Sequence, residues 1–216
     1  MNYEKIDVKT WKRGKLFSHY IDNLRNVLSM TVDIDVTNAL KFAHERAMKF
    51  YPVMIWAVST TVNRFEEFRY AFDPNGDLIR WDVVSPYYAD FHKEDEQLVL
   101  LFTEYSENLK DFHDAFMADR KKYADLRGFE LKDVPPNVFN VSCLPWIKYR
   151  SFDIHVFDEG KYLAPVITWG KYEEKEGKYL MPLSVQIHHA VSDGYHLSRF
   201  FNELQQLIYG LKQGAF

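Results

Sequence analysis

Apolar and polar positions follow two different periods along this chain of 216 residues. Apolar residues alternate with polar ones at 28–35 and 183–187, which predicts strands that bury one face. From Leu197 to Leu211 they recur every third or fourth position, which predicts a helix with one buried face. Over the whole sequence, the pattern predicts helices at 10–22, 52–66, 107–124 and 194–211. It also predicts a helix that begins after an N-cap at Thr37. It predicts strands at 28–35, 68–73, 78–82, 86–92, 97–104, 138–143, 151–156, 163–173 and 178–188.

The predicted helices and strands are mixed without a strict strand–helix repeat. We therefore predict an α+β fold, a two-layer sandwich in which helices cover a mixed, largely antiparallel sheet. No Gly-rich phosphate loop follows a strand, which argues against a dinucleotide-binding fold. No linker, repeat or low-complexity segment divides the chain, so a single domain is predicted over residues 1–216.

Composition narrows the possible partners. Hydrophobic residues make up 47% of the chain and the net charge is -4, which argues against disorder and against a general attraction to nucleic acid. Cys143 is the only cysteine, so no intrachain disulfide can form. The most apolar run, 53–58, is too short to cross a bilayer, and the N-terminus has no apolar signal core. We expect a soluble cytoplasmic protein with no nucleic-acid or membrane partner.

The segment from His188 and His189 to Asp193 and Gly194 is the strongest candidate for chemistry, because it joins a predicted strand to the last helix. Histidine can take and give a proton near neutral pH, so His189 is a candidate general base. A metal site that includes His196 is the alternative. Adjacent strand residues point to opposite faces, so His188 and His189 do not readily share one ion, and no metal site is predicted.

Asp193 has two interpretations at this stage. It could orient His189, as in a catalytic triad, or it could cap the last helix and pair with an arginine.

The stretch 182–196 resembles the signature of the chloramphenicol acetyltransferase family nearly residue for residue. Further family-like blocks lie in the same order at 7–13, 49–54, 140–146 and 164–168. The dihydrolipoamide acyltransferases share only the block around His189.

This resemblance implies an acetyl-CoA-dependent O-acetyltransferase that inactivates chloramphenicol by direct transfer to one of its hydroxyls. Acetyl-CoA is the cosubstrate, and no tightly bound cofactor is expected. His189 corresponds to the base, with its ring held by its own backbone carbonyl, and Asp193 corresponds to a structural partner of Arg13. Ser142 corresponds to the oxyanion donor, and Thr168 to a residue that acts through a bound water. Transfer to a different hydroxyl compound and a non-catalytic CoA-binding homologue are the alternatives.

The resemblance also implies two ligand sites in a homotrimer, with His189 of one subunit facing the acceptor pocket of its neighbour. Coenzyme A residues would be Lys49, Tyr51, Trp146, Lys171 and Tyr172, and acceptor residues would be Tyr20, Leu24, Asn26 and Leu98. Arg25-Asn26 replaces a common Pro-Cys pair, and Leu98 replaces an aromatic wall whose stacking contributes about 1 kcal/mol. Cys143 follows Ser142 along the strand and is interpreted as a core residue rather than a nucleophile.

Overall fold

The computed structural model describes residues 2–127 and 134–211. Residues 128–133 and 212–216 of the predicted domain lie outside this description. The strands are β1 Tyr3–Lys5, β2 Val27–Asp35, β3 Tyr70–Phe72, β4 Leu78–Trp81, β5 Ser85–His92, β6 Gln97–Phe102, β7 Val138–Leu144, β8 Val166–Gly170, β9 Glu173–Lys175 and β10 Lys178–His188. The α-helices are α1 Gly14–Ser18, α2 Thr37–Glu45, α3 Phe50–Arg64, α4 Leu109–Lys122 and α5 Gly194–Gly210. A π-helical turn covers His19–Asn23 and a 3-10 turn covers Glu66–Phe68.

The main sheet has the strand order β2-β10-β8-β7-β5-β6, and β9 extends one end of β10. Among the described strands of this sheet, only the β5–β7 and β7–β8 pairs are parallel. A small antiparallel sheet, β1-β4-β3, lies apart from it. The predicted α+β fold with a mixed, largely antiparallel sheet is therefore confirmed.

Strand β10 shows how the sequence assigns its two faces. Leu183, Val185 and Ile187 are almost completely buried in the hydrophobic core, which they share with the apolar faces of α3 and α5. The intervening residues Ser184 and Gln186 point to the opposite face, as the two-residue period requires. That opposite face is polar but also buried.

One row of hydroxyl residues crosses this polar face. Thr31 on β2 lies opposite Ser184 on β10, Ser184 lies opposite Thr168 on β8, and Thr168 pairs with Ser142 on β7. The Oγ atoms of Thr31 and Ser184 are 2.7 Å apart. Thr168 and Ser142, distant in sequence, are thus neighbours in space.

Two helix predictions need correction. The predicted helix 10–22 is divided into a hydrogen-bonded turn, then α1, then the π-helical turn. In the first turn, Asp7 accepts from Lys9 N and Thr10 Oγ1. The helix predicted after Thr37 ends at Glu45, and Ala47 has a positive φ of 51° that breaks it before α3. Thr37 is also inside α2 rather than its N-cap, and it donates from both N and Oγ1 to Asp35.

The strand predicted at 151–156 is wrong. The backbone carbonyl of Phe152 accepts from the side chain of Gln186 at 2.8 Å, and the segment joins no ladder among the described strands. The strand predicted at 163–173 is shorter and covers only β8. The strand predicted at 68–73 begins later, because the 3-10 turn Glu66–Phe68 precedes β3. The helix predicted at 52–66 is α3, which begins and ends two residues earlier.

None of the helices in the described part of the chain is long and apolar enough to cross a bilayer.

Candidate active site

Backbone hydrogen bonds hold the segment that follows β10 in place. His189 N donates to Asn26 O at 3.0 Å, and Val191 N donates to His188 O at 3.2 Å. Asp193 then begins α5 as its N-cap and accepts from Tyr195 N at 3.0 Å. This turn holds the His189 side chain at the C-terminal end of β10, half-buried.

The protonation state of the His189 ring follows from its hydrogen bond. Nδ1 lies 2.8 Å from the carbonyl oxygen of Ser192. Because a carbonyl can only accept, Nδ1 carries a proton, and in the neutral ring Nε2 therefore has the free lone pair. The expected bond to the carbonyl of His189 itself is wrong, because the single N–H at Nδ1 goes to Ser192 O, and the His189 carbonyl accepts from Arg13 Nη2 at 3.0 Å.

The phenol ring of Tyr20 covers one side of this imidazole. The ring centroids are 4.0 Å apart, with an interplanar angle of 23°. Tyr20 was expected to meet the His189 of a neighbouring subunit. That expectation is wrong, because the π-helical turn His19–Asn23 returns Tyr20 onto the His189 of its own chain.

Arg13 joins three groups of the same turn. It donates to the carbonyls of Ala190 at 2.7 Å and His189 at 3.0 Å, and to Asp193 Oδ2 at 3.1 Å. Burial acts to raise the pKa of Asp193, but the Arg13 hydrogen bond, the electrostatic influence of His196 and the Tyr195 N–H outweigh it and hold that pKa below its ordinary value. Asp193 is therefore a helix cap and an arginine partner, and the triad interpretation is wrong because Ser192 O occupies His189 Nδ1.

His188 has a different environment from His189. Its Nδ1 accepts from Ala190 N at 3.1 Å, so its proton is on Nε2. Burial, helped by the electrostatic influence of His189 and Arg25, lowers the pKa of His188 and favours its neutral form. In the described ranges no group of three or more His, Cys, Asp or Glu side chains is arranged to hold a metal ion.

Ser142 and Thr168 lie on the hydroxyl row of the polar face, away from His189 of the same chain. The row crosses β10 at Ser184, and His188 at the end of that strand is about 13 Å further along it. Ser142 lies two strands away from β10, roughly 10 Å across the sheet. Thr168 is fully buried, and its Oγ1 has no partner among the described residues. One chain therefore does not bring His189 and Ser142 together.

A cavity of about 490 Å³ lies on the other face of the sheet, between α3 and the ends of β7 and β8. Four of the five expected coenzyme A residues line it, namely Tyr51, Trp146, Lys171 and Tyr172. Lys49 does not; it is exposed, and its backbone N donates to His113 Nε2 at 3.0 Å, one residue before the lining residue Phe50.

The expected acceptor residues do not form one group. Leu98 lines the same cavity as Trp146 and is 51% exposed, whereas Leu24 is exposed at the end of the π-helical turn. Asn26 lies beside His189, and its buried Oδ1 has no partner among the described residues.

The sequence analysis missed Phe50, Phe91 and Lys93, which also line the cavity. Lys93 adds a second cation to the cavity wall, which also includes Lys171. The position of Lys93, directly after the strand that carries Phe91, was the available signal.

Cys143 was interpreted as a core residue, and it does pack against the core, but it also lines the cavity. Burial raises the pKa of its thiol to about 12, more than a weak bond with Trp169 lowers it. The group is thus a neutral thiol at physiological pH, which does not suit a nucleophile.

Comparison with known proteins gives a consistent result. A sequence profile described as chloramphenicol acetyltransferase matches residues 1–205. The chloramphenicol acetyltransferase of Clostridium butyricum is 40% identical over 214 residues, which cover 99% of this chain and 98% of that protein. The chain belongs to the chloramphenicol acetyltransferase family.

Solved structures share the fold of this family member. A structure of a chloramphenicol acetyltransferase superposes with a TM-score of 0.83 at 22% identity, covering 96% of this chain and all of the other. The Azotobacter vinelandii dihydrolipoamide acetyltransferase gives a TM-score of 0.67 at 18% identity, covering 95% and 90% of the two chains. At these identities the likeness concerns the fold, which chloramphenicol acetyltransferases share with other acyltransferases.

Proposed function

We propose that the chain is an acetyl-CoA-dependent O-acetyltransferase that acetylates a hydroxyl of chloramphenicol, with His189 as the general base. The observation that carries this proposal is the hydrogen bond from His189 Nδ1 to Ser192 O, which in the neutral ring leaves the lone pair on Nε2. It occurs in a chain whose relative of 40% identity is named chloramphenicol acetyltransferase.

The reaction needs no acyl-enzyme. Nε2 of His189 takes the proton of the acceptor hydroxyl as its oxygen attacks the thioester carbonyl, and a tetrahedral oxyanion forms. When the C–S bond breaks, the imidazolium returns the proton to the leaving sulfur, so the products are the acetyl ester and free coenzyme A. The high pKa of Cys143 agrees with direct transfer, because that thiol does not compete as a nucleophile.

The oxyanion donor is proposed to come from a second copy of the chain. Within one chain, Ser142 is roughly 15 Å from the end of β10, which no side-chain rotation can close. A homotrimer with active sites between subunits would bring Ser142 of one copy to His189 of another. The unpartnered Oγ1 of Thr168, next to Ser142 on the same row, is suited to hold a water beside the oxyanion.

The cavity on the helix side is the proposed coenzyme A site. Lys171 and Lys93 supply cations for phosphate groups, and the rings of Tyr51 and Tyr172 offer surfaces for an adenine base. Lys49, one residue outside the cavity wall, is proposed as a further phosphate partner at the entrance. Acetyl-CoA is then a cosubstrate that leaves after each turnover, and no tightly bound cofactor is proposed.

Three further assignments accompany this function. Residues 1–216 are proposed to form one domain, since one hydrophobic cluster includes residues from Phe17 to Leu211. The protein is proposed to act in the cytoplasm, where acetyl-CoA is available, and to inactivate the antibiotic there. Its partners are proposed to be small molecules and copies of itself, because the net charge of -4 gives no general attraction to nucleic acid.

The first test measures thiol release from acetyl-CoA in the presence of chloramphenicol. Wild-type protein is expected to release coenzyme A only when the acceptor is present. His189→Ala is expected to lower kcat by a factor of about 10² to 10⁴, the usual contribution of a general base. Full activity in that variant would contradict the assigned mechanism.

A subunit-mixing experiment tests the shared site. His189→Ala and Ser142→Ala are each expected to be nearly inactive alone, since removing an oxyanion donor costs a factor of about 10² to 10³. After joint refolding at equal amounts, each mixed trimer holds one interface with both residues intact, so about a quarter of the wild-type activity is expected. If the mixed trimers recover no activity, His189 and Ser142 act in the site of the same subunit, which contradicts the shared site.

A different hydroxyl acceptor is the second candidate, favoured by the departures from the expected family pattern at Asn26, beside His189, and at Leu98. It predicts acetyl-CoA turnover with another alcohol and negligible turnover with chloramphenicol. A non-catalytic CoA-binding role would instead give calorimetric binding of acetyl-CoA without turnover of any alcohol.

A further inference from the structure

The peptide group between Ser192 and Asp193 is hydrogen-bonded at both of its polar atoms. Its carbonyl oxygen accepts from His189 Nδ1 at 2.8 Å. Its N–H donates to Nδ1 of His196 at 3.1 Å. This single planar group therefore connects the two imidazoles, and any rotation of the peptide changes both contacts.

The His196 ring has only one protonation state that fits this contact. Because the peptide N–H is a donor, Nδ1 of His196 must be unprotonated, and its proton is on Nε2. Nε2 lies 3.2 Å from Oε1 of Glu67, on the 3-10 turn Glu66–Phe68. The side chains of His196 and Glu67 are only 17% and 15% exposed, so the carboxylate acts on the ring with little screening by water.

Other charged groups also face His196. Asp193 Oδ1 lies 3.0 Å from Nδ1, and Arg13 binds the other carboxylate oxygen of Asp193. A doubly protonated His196 would donate to Asp193 and lose the peptide N–H as a partner. In the neutral ring, the Glu67 carboxylate favours the proton at Nε2 and so keeps Nδ1 as the acceptor.

We propose that Glu67 and His196 are positioning residues for acetyl transfer, which act by holding the Ser192–Asp193 peptide that fixes the His189 ring and its tautomer. This proposal rests on the proposed function, in which Nε2 of His189 is the base. Neither residue touches the reacting atoms. Their effect passes through one peptide, and hydrogen bonds in such a chain polarise one another.

The chain offers a matched pair of variants at position 196. His196 is the third residue of α5, where glutamine can accept from the N-cap N–H in the same way. His196→Gln therefore keeps the peptide contact, whereas His196→Ala removes it. Glu67→Gln removes the charge but keeps the shape. Asn108→Ala removes the N-cap of α4, far from the site, and controls for the general effect of losing a helix cap.

Steady-state kinetics with acetyl-CoA and chloramphenicol give the first readout. His196→Ala is expected to lower kcat tenfold or more while both KM values stay within about twofold, because misplacing the base affects the transition state and leaves substrate binding intact. His196→Gln is expected to recover kcat to within about threefold of wild type, and Asn108→Ala to leave it unchanged. A His196→Ala kcat within twofold of wild type, or the same loss in His196→Gln, would overturn the proposal.

The second readout does not depend on activity. In protein labelled with ¹⁵N at histidine, the wild-type His189 ring is expected to show one neutral tautomer protonated at Nδ1. His196→Ala is expected to mix the two tautomers and to speed amide exchange at Asp193, while Glu67→Gln has a smaller effect in the same direction. An unchanged His189 tautomer in His196→Ala would contradict the proposal. If the wild type acetylates no alcohol but its tautomer depends on His196, the proposed function fails and the positioning role stands.

Discussion

The aromatic ring of Tyr20 lies nearly parallel to the imidazole of His189, with 4.0 Å between centroids. This contact and the Ser192 hydrogen bond restrain the imidazole in two independent ways. The stacking fixes the plane of the ring but allows two orientations related by a roughly 180° flip about χ2, and the hydrogen bond at Nδ1 selects one of them. The proposed base is thus oriented within its own chain, without a contribution from a second copy or a substrate.

Removing the Tyr20 ring is expected to weaken catalysis more than removing its hydroxyl. Ring stacking contributes about 1 kcal/mol, so Tyr20→Ala should lower kcat/KM for chloramphenicol about five- to tenfold. Tyr20→Phe keeps the ring and should stay within about twofold of wild type. Steady-state kinetics at saturating acetyl-CoA measure both, and equal losses in the two variants would assign the effect to the hydroxyl instead.

Asp193 is expected to affect stability through two separable contributions. Asp193→Ala loses the α5 cap and the Arg13 partner and should lower the free energy of unfolding by about 2 kcal/mol, since Asp193 is 35% exposed. Asp193→Asn keeps a capping side chain and should lose only about 1 kcal/mol. Urea denaturation at pH 7 measures both values, and an unchanged midpoint for Asp193→Ala would mean that neither contact stabilises the fold.

The same carboxylate predicts a pH dependence of stability. The pKa of Asp193 is lower in the folded protein than its ordinary value, so its contribution is fully present above the unfolded pKa of about 3.9. That contribution is lost as the pH falls through the lower folded pKa. Wild type should therefore lose stability more steeply than Asp193→Asn below about pH 4, measured by denaturation at each pH. Parallel curves for the two proteins would argue against the shift.

Cys143 is expected to be an unreactive thiol, although it borders the proposed coenzyme A site. With a pKa of about 12, it should react with iodoacetamide at pH 8 far more slowly than a free cysteine. Cys143→Ala should keep kcat within about threefold of wild type, because the thiol has no part in the transfer. Mass spectrometry of timed samples measures the alkylation, with urea-unfolded protein as the reactive control. Complete loss of activity in Cys143→Ala would instead indicate that Cys143 acts as a nucleophile.

Leu98 is expected to affect the binding of acetyl-CoA more than the binding of chloramphenicol, because it lines the same cavity as Trp146 and Tyr172. Leu98→Ala removes about 1 kcal/mol of apolar contact and should raise the KM for acetyl-CoA about fivefold. The KM for chloramphenicol should change less than twofold. The opposite ratio in two-substrate kinetics would return Leu98 to the acceptor pocket.

Local patterns predicted much of this fold and part of its site. The alternation at 183–187 correctly gave β10, since both of its faces depend on a period that can be seen in the sequence. The segment around Phe152 has the same alternation but forms no strand, because alternation does not reveal whether a neighbouring strand is available. His189 could be found because its informative neighbours are adjacent in the chain.

Contacts between distant segments could not be predicted in this way. Glu67 meets His196 only after the 3-10 turn before β3 packs against α5. Ser142 and Thr168 become neighbours only through the strand order β10-β8-β7. The stack of Tyr20 on its own His189 depends on a π-helical turn, for which residue periodicity gives no signal.

The Arg13 contacts have a consequence for how this enzyme is made. Arg13 bonds to groups that follow it by 176 to 180 residues. A ribosome must therefore release almost the whole polypeptide before the turn that carries the proposed base can close, and such long-range closure is slow compared with local helix formation. During synthesis or refolding, catalytic competence should be among the last properties to emerge, after most secondary structure has formed.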